Sequence, residues 1–217
     1  LCLLELLEGP NTCRSLEMSE KEMSEKEITA IKQSILERFL RYVRIDTQSD
    51  IHGTEKPTTP DQWELLHIIE EELKQIGIDD IDLDENGYLI ARLPSTLHEG
   101  KDAPVIGFMA HVDTAGDMSG KNVNPNVIEN YDGSDIPLGS RWILSPSENP
   151  EMLKYVGDTL ITTDGTTLLG ADDKAGAAQI LAAAEYFMQH PELEHGTVEL
   201  IFTPDEETGT GMDLFPV

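Results

Sequence analysis

Leu168-Leu169-Gly170-Ala171-Asp172-Asp173-Lys174-Ala175-Gly176 is the stretch on which the reading of this chain turns. Two adjacent carboxylates and a lysine stand between small residues, at the start of an alanine-rich segment. Small residues let a backbone pass close to another group, and a helix N-terminus favours negative charge. Taken alone, the pair has two readings: Asp172 or Asp173 caps a helix over 174–189, or the carboxylates belong to a site. The flanking segments give the context. Ala175, Ala178, Leu181, Ala182, Glu185 and Phe187 mark a helix whose alanines allow close packing on a sheet. Ahead of the pair lie strand-like Thr159–Thr162, an Asp164-Gly165 turn and Thr167–Leu169. Beyond the helix, Val198–Thr203 reads as a buried strand running straight into Pro204-Asp205-Glu206-Glu207-Thr208-Gly209.

Further out, Ala103–Ala110 is apolar apart from Gly107, predicts a buried strand and ends at His111-Val112-Asp113. Ser24 and Glu27 form a capping-box pattern before Ile28, Ile31, Ile35, Phe39, Tyr42 and Val43, which predicts a helix over about 25–44. Residues 46–58 are polar and loop-like. Thr59-Pro60-Asp61-Gln62 places a cap and a first-turn proline before Trp63, Leu66, Ile69, Leu73 and Ile76, and Gly77 ends that helix. Ile81–Asp84 and Tyr88–Leu93 flank Glu85-Asn86-Gly87, a hairpin signal. Residues 114–158 carry no clear period, as expected of an insertion or of loops lining a site. Helices alternating with apolar strands predict a three-layer α/β/α domain, in which sites gather beyond the carboxyl ends of strands. His111, Asp172 and Glu206-Glu207 fall in such places.

Composition narrows the function. The 217 residues hold 42 Asp+Glu against 15 Lys+Arg, a formal charge of -27. That balance argues against nucleic-acid partners, which want a basic face, and against docking on anionic membranes. The two cysteines, Cys2 and Cys13, stand at the N-terminal end, so no disulfide framework is expected and a cytoplasmic setting is the natural one. The opening run Leu1-Cys-Leu-Leu-Glu-Leu-Leu is acidic and short, a poor signal peptide. Met-Ser-Glu-Lys-Glu occurs twice over 18–27, so Met18 or Met23 is a candidate start. Residues 1–23 are expected to be a disordered extension and 24–217 one incomplete catalytic domain.

Each chemical cluster also has a plain structural reading: a strand-end histidine, an aspartate cap, a solvated acidic turn. In combination they point elsewhere. In His111-Val112-Asp113 a carboxylate on the far ring nitrogen would orient the other nitrogen toward a metal. Glu206 and Glu207 offer two carboxylates, one to coordinate and one to take a proton from water. A shared aspartate with a histidine on one side and a glutamate on the other makes half of a dinuclear zinc site.

The three motifs His111-Val-Asp113-Thr, Gly170-Ala-Asp172-Asp-Lys174-Ala-Gly and Asp205-Glu206-Glu207-Thr-Gly resemble the signatures of the co-catalytic zinc peptidases, the family of carboxypeptidase G and aminoacylase. The stretches Arg38–Gln48, Gly120–Pro125, Leu160–Gly165 and Phe202–Glu207 are similar to its tripeptide-aminopeptidase branch, and the likeness covers about residues 34–211. The resemblance implies two Zn2+ ions, with His111 and Glu207 each ligating one and Asp172 bridging both. It makes Asp113 the orienter of His111 and Glu206 the general base on the attacking water, with Lys174 ordering the loop and Asp173 at a variable position. The implied reaction is release of the N-terminal residue from small peptides, tripeptides in particular.

The family pattern continues past Val217 with another carboxylate ligand, a lid domain and a late histidine ligand. The expectation is therefore a zinc tripeptidase parent, with this chain inactive alone and one sheet edge and some apolar surface uncovered. Competing readings are a dipeptidase or deacylase of the same family, or a non-catalytic acidic module.

Overall fold

The computed structural model describes residues 23–216. The expectation of a disordered N-terminal extension therefore concerns, apart from Met23, residues outside the described ones.

The first helix, α1 (Glu25–Tyr42), starts where its capping box dictates: the Ser24 hydroxyl accepts from the Glu27 N–H at 3.3 Å, and the Ser24 N–H donates to Glu27 Oε2 at 2.8 Å. Helix α2 (Gln62–Ile76) begins later than the Thr59-Pro60 signal suggests. The Thr59 hydroxyl donates to the Gln48 carbonyl at 2.9 Å and accepts from the Gln62 side-chain amide at 3.1 Å, so its oxygen serves a side chain in place of a first-turn backbone N–H. Gly77 ends α2 with φ 98°, as its position implies.

Strands β1 (Ile81–Leu83) and β2 (Leu89–Leu93) form the expected antiparallel hairpin. They join β3 (Ile106–His111) and, after the side elements below, β8 (Val198–Thr203) in one sheet of order β1-β2-β8-β3. Strand β8 is antiparallel to β2 and parallel to β3, with Ala91 and Phe108 both opposite Leu200 and His111 opposite Thr203. Alternate residues Leu89, Ala91, Leu93, Leu200 and Phe202 share one apolar core with α1, α2 and the long helix α3 (Ala171–Gln189), which precedes β8 in sequence. Within it Ala175, Ala177, Ala178, Ala182 and Ala184 are buried, and α3 lies against α1 and β3. The α/β class read from the alternating pattern holds.

The buried strand expected over Ala103–Ala110 needs correction. Strand β3 starts at Ile106, and Ile106, Phe108 and Met109 are about half exposed, with only Ala110 and His111 buried. Its outer edge has no neighbour among the described residues. An apolar run states that a strand wants burial, not that the chain provides it.

The segment 114–158 is also more ordered than its composition suggests. It holds β4 (Asn126–Ile128), the hairpin β5 (Ile136–Leu138) and β6 (Trp142–Leu144), and a 3-10 helix over Pro150–Tyr155. The expected strand near 160 exists as β7 (Leu160–Thr162), but it pairs with β4 rather than with the main sheet. Thr167–Leu169 is not a strand, so Asp172 does not follow a strand of the main sheet. Tyr131, Ile136, Met152, Tyr155 and Leu160 form a second small core. Three-residue strands are too short to print a period on the sequence.

Candidate metal centre

His111 is the last residue of β3, so the sheet fixes its backbone and the ring projects beyond the strand end. Its Nδ1 lies 3.1 Å from the Asp113 carbonyl and 3.3 Å from Asp113 Oδ1. Its Nε2 lies 3.0 Å from Asp172 Oδ1 and 3.8 Å from Glu206 Oε2. The ring is thus pinned on one nitrogen and faces acidic side chains with the other, the division of labour expected of a ligand histidine.

Asp113 does more than orient the ring. It is fully buried, and its two oxygens accept the Glu206 N–H at 2.9 Å and the Glu207 N–H at 3.1 Å. One carboxylate therefore ties the β3 end to the turn after β8. Neighbouring backbone is laced to the same point: the Thr47 hydroxyl donates to the Val112 carbonyl at 2.7 Å and the Thr114 N–H to the Thr47 carbonyl at 3.2 Å.

The acidic pair satisfies both of its readings, one residue each. Asp173 Oδ1 accepts the Gly176 N–H at 3.0 Å, the bond a capping aspartate makes. Asp172 and Asp173 both depart from helical angles, which leaves the Asp172 carboxylate free to turn toward His111. Gly170 precedes them at φ 73°, and a Cβ there would stand 3.2 Å from the Thr114 methyl. The small residues of the opening stretch are what let α3 start this close to residues 111–114. Lys174 is buried and donates from Nζ to the Ile45 carbonyl at 2.7 Å. It secures the loop after α1, and Asp46 and Asp113 lie close enough to act on its charge.

One His111 nitrogen and one oxygen each of Asp172 and Glu207 lie within 4.8 Å of one another, a set that could hold a metal ion. One imidazole and two carboxylates are the donor types that divalent zinc accepts, so the residues fit such an ion. The electrostatics agree. Burial works against charge on His111, but Asp113, Asp172 and Asp173 raise it to about 9, so without a cation the ring itself carries positive charge. Desolvation and the neighbouring carboxylates of Asp172, Asp113 and Glu206 push Glu207 up, against the pull of His111. Burial likewise raises Asp173. Burial would also raise Asp113, yet the bonds from His111, Ser49 and the Glu206 N–H hold it below the usual carboxylate range. Crowded carboxylates sharing one imidazolium form a site that gains from a divalent cation.

All five residues singled out from the sequence, His111, Asp113, Asp172, Glu206 and Glu207, thus lie in one cluster. Sequence reasoning missed the support beneath it: Gln62, Thr58 and Asp205, joined by side-chain hydrogen bonds of 2.5–2.8 Å. The available signal was Asp205 itself, a polar residue directly after an apolar strand and a proline.

Residues 162–215 match the model of peptidase family M20/M25/M40. Over 187 residues the chain is 54% identical to Peptidase T of Lysinibacillus sphaericus, a match covering 86% of this chain and 45% of that protein. Over 185 residues it is 56% identical to Peptidase T of Clostridium perfringens, covering 85% and 45%. The chain thus spans a little under half the length of the curated relatives it matches. Its fold resembles the aminopeptidase PepT of Bacillus cereus, with a TM-score of 0.59 and 24% identity over 85% of this chain and 40% of that one. It also resembles a tripeptidase of Staphylococcus aureus, with a TM-score of 0.55 and 24% identity over 82% and 38%. Motifs and long-range identity thus make the chain similar to Peptidase T proteins, with the peptidase family M20/M25/M40 model matching its residues 162–215.

Proposed function

We propose that this chain carries the metal-binding core of a zinc aminopeptidase that releases the N-terminal residue of tripeptides. The observation that carries the reading is the convergence of His111, Asp172 and Glu207 donor atoms around an imidazole oriented by Asp113. The identity to Peptidase T proteins supports the tripeptide substrate.

His111, Asp172 and Glu207 would hold the ion, with zinc the best match to one nitrogen and two carboxylate donors. The Asp172 side chain is 86% exposed and is the one we assign to sharing with a second ion. When bound, zinc polarises a peptide carbonyl and makes nearby water easier to deprotonate. Asp113 keeps Nε2 of His111 aimed at the site by occupying Nδ1. Glu206, whose Oε2 lies 3.8 Å from His111 Nε2, accepts the proton of the attacking water and is free to pass it to the departing amine. We read residues 24–217 as part of one catalytic domain, working in the cytoplasm on small peptides.

Calorimetric titration with Zn2+ tests the metal reading on the chain itself. We expect saturable binding that Asp172→Ala removes. Hydrolysis of a tripeptide is then followed with the Peptidase T C-terminal half joined to this chain, and Glu206→Gln should silence it while leaving zinc uptake intact. If the chain takes up no zinc, or if Asp172→Ala binds it equally well, the proposal is wrong.

A further inference from the structure

Asp205 occupies an unusual place. Its φ of 58° lies in the left-handed region that residues other than glycine seldom enter, and its side chain is fully buried. Both carboxylate oxygens accept the Thr58 N–H at 3.0 Å, and Oδ1 also accepts the Thr58 hydroxyl at 2.5 Å. Gln62 Nε2 donates to Oδ1 at 2.8 Å, and Lys56 Nζ lies 3.3 Å from Oδ2. In the other direction the Asp205 N–H donates to Gln62 Oε1 at 3.1 Å. The Gln62 amide, itself fully buried at the first turn of α2, grips both the backbone and the side chain of one residue.

The next two residues are Glu206 and Glu207, whose N–H groups are held from the opposite side by Asp113. The turn is therefore clamped between two anchors, one from the β3 end and one from the start of α2. Left-handed backbone at a non-glycine residue persists only where the surroundings over-determine it. Here the surroundings are the Gln62 amide and the Thr58 N–H and hydroxyl. We propose that Gln62 is a positioning residue for Glu206 and Glu207, acting through Asp205 with Thr58 as its second arm. Its importance for catalysis rests on the function proposed above; the clamp itself does not. Gln62 touches neither the reacting atoms nor the candidate ligands, and acts by fixing where residues 206 and 207 begin.

Amide hydrogen exchange of the metal-free chain reads the clamp directly. Without the Gln62 amide, in Gln62→Met, the Glu206 and Glu207 amides should exchange about tenfold faster or more, the scale of a lost hydrogen-bonding partner. The Leu200–Thr203 amides, inside β8, should keep their protection. Unchanged exchange at 206 and 207 overturns the proposal. So does a uniform acceleration through β8, which would mark Gln62 as a general stability residue. Should Gln62→Met fail to fold, Thr58→Val removes one arm of the same clamp, and the same two outcomes decide. Zinc affinity supplies a second readout: Gln62→Met should weaken it by about tenfold, while Leu65→Ala, an equally buried change one helical step from the clamp, should leave it within twofold of wild type. Absence of zinc binding in the wild-type chain would sink the functional reading and leave the exchange experiment to judge the clamp.

Discussion

Asp113 and Asp172 both reach the His111 imidazole, one on each nitrogen, yet the first side chain is wholly buried and the second is 86% exposed. Asp113 belongs to a floor that also includes Asp205, Gln62 and Lys174, all buried and all engaged with backbone groups. Asp172, Glu206 and Glu207 form a rim open to solvent. A buried carboxylate must have its partners or the fold suffers, because the unpaired charge cannot be hydrated. An exposed one is held weakly, and its value to stability is small. The difference teaches that the residues most exposed to a ligand contribute least to the fold, while those beneath them contribute to both.

The largest expected effect is therefore at Asp113. Asp113→Ala strands the Glu206 and Glu207 N–H groups and frees the ring of His111. We expect a loss of about 3 kcal/mol in urea unfolding of the metal-free chain, and zinc affinity lower by about 10–100-fold. A stability loss as small as that of a rim substitution would erase the distinction between floor and rim.

A smaller effect concerns pH and sets the imidazole between floor and rim against the lysine of the floor. His111 has its value raised from 6.5 to about 9 by the acidic groups around it, against burial. Between those values the folded chain holds the proton that the unfolded chain has released. The stability from this group is complete below 6.5 and is lost as pH rises through about 9. Lys174 is the reverse, lowered by burial from 10.5 to about 8 despite the nearby Asp46 and Asp113. Between those values the unfolded chain holds the extra proton, so this contribution grows with rising pH. Urea unfolding of the metal-free chain should accordingly show His111→Gln losing the fall over pH 6.5 to 9. Lys174→Met should lose the rise over pH 8 to 10.5. Parallel pH curves for wild type and both variants would refute these linkages.

The same contrast explains how much could be read from sequence. Capping box, Gly77 stop and the Asn86-Gly87 hairpin are local signals, and the elements they mark form as expected. The five candidate residues that lie together could be picked from sequence because motifs concentrate them at three points of the chain. The α2 start was misjudged because the Thr59 oxygen accepts from the Gln62 side chain and its proton goes to Gln48, outside the helix. Exposure of Phe108 was not legible either, since a strand's composition does not name its neighbours. Gln62 escaped for a related reason: its partner, Asp205, is 143 residues away, and nothing in a helix-start glutamine distinguishes a cap from a clamp.

The smallest effect on the fold should come from the rim. Among the described residues the Asp172 carboxylate is hydrogen-bonded to the ring of His111, and a pair this exposed on one side is screened by water. Asp172→Ala should therefore change urea stability of the metal-free chain by no more than about 0.5 kcal/mol. Asp173, the neighbour that caps α3 through the Gly176 N–H, should behave differently despite its identical side chain. Asp173→Ala should cost about 1 kcal/mol, the usual value of a lost N-cap, and retain measurable zinc uptake. The pair thus separates cap from ligand within two consecutive residues. If the two variants exchanged these phenotypes, with Asp172→Ala losing stability and Asp173→Ala losing zinc, the roles would have to be reversed and the rim redrawn around Asp173.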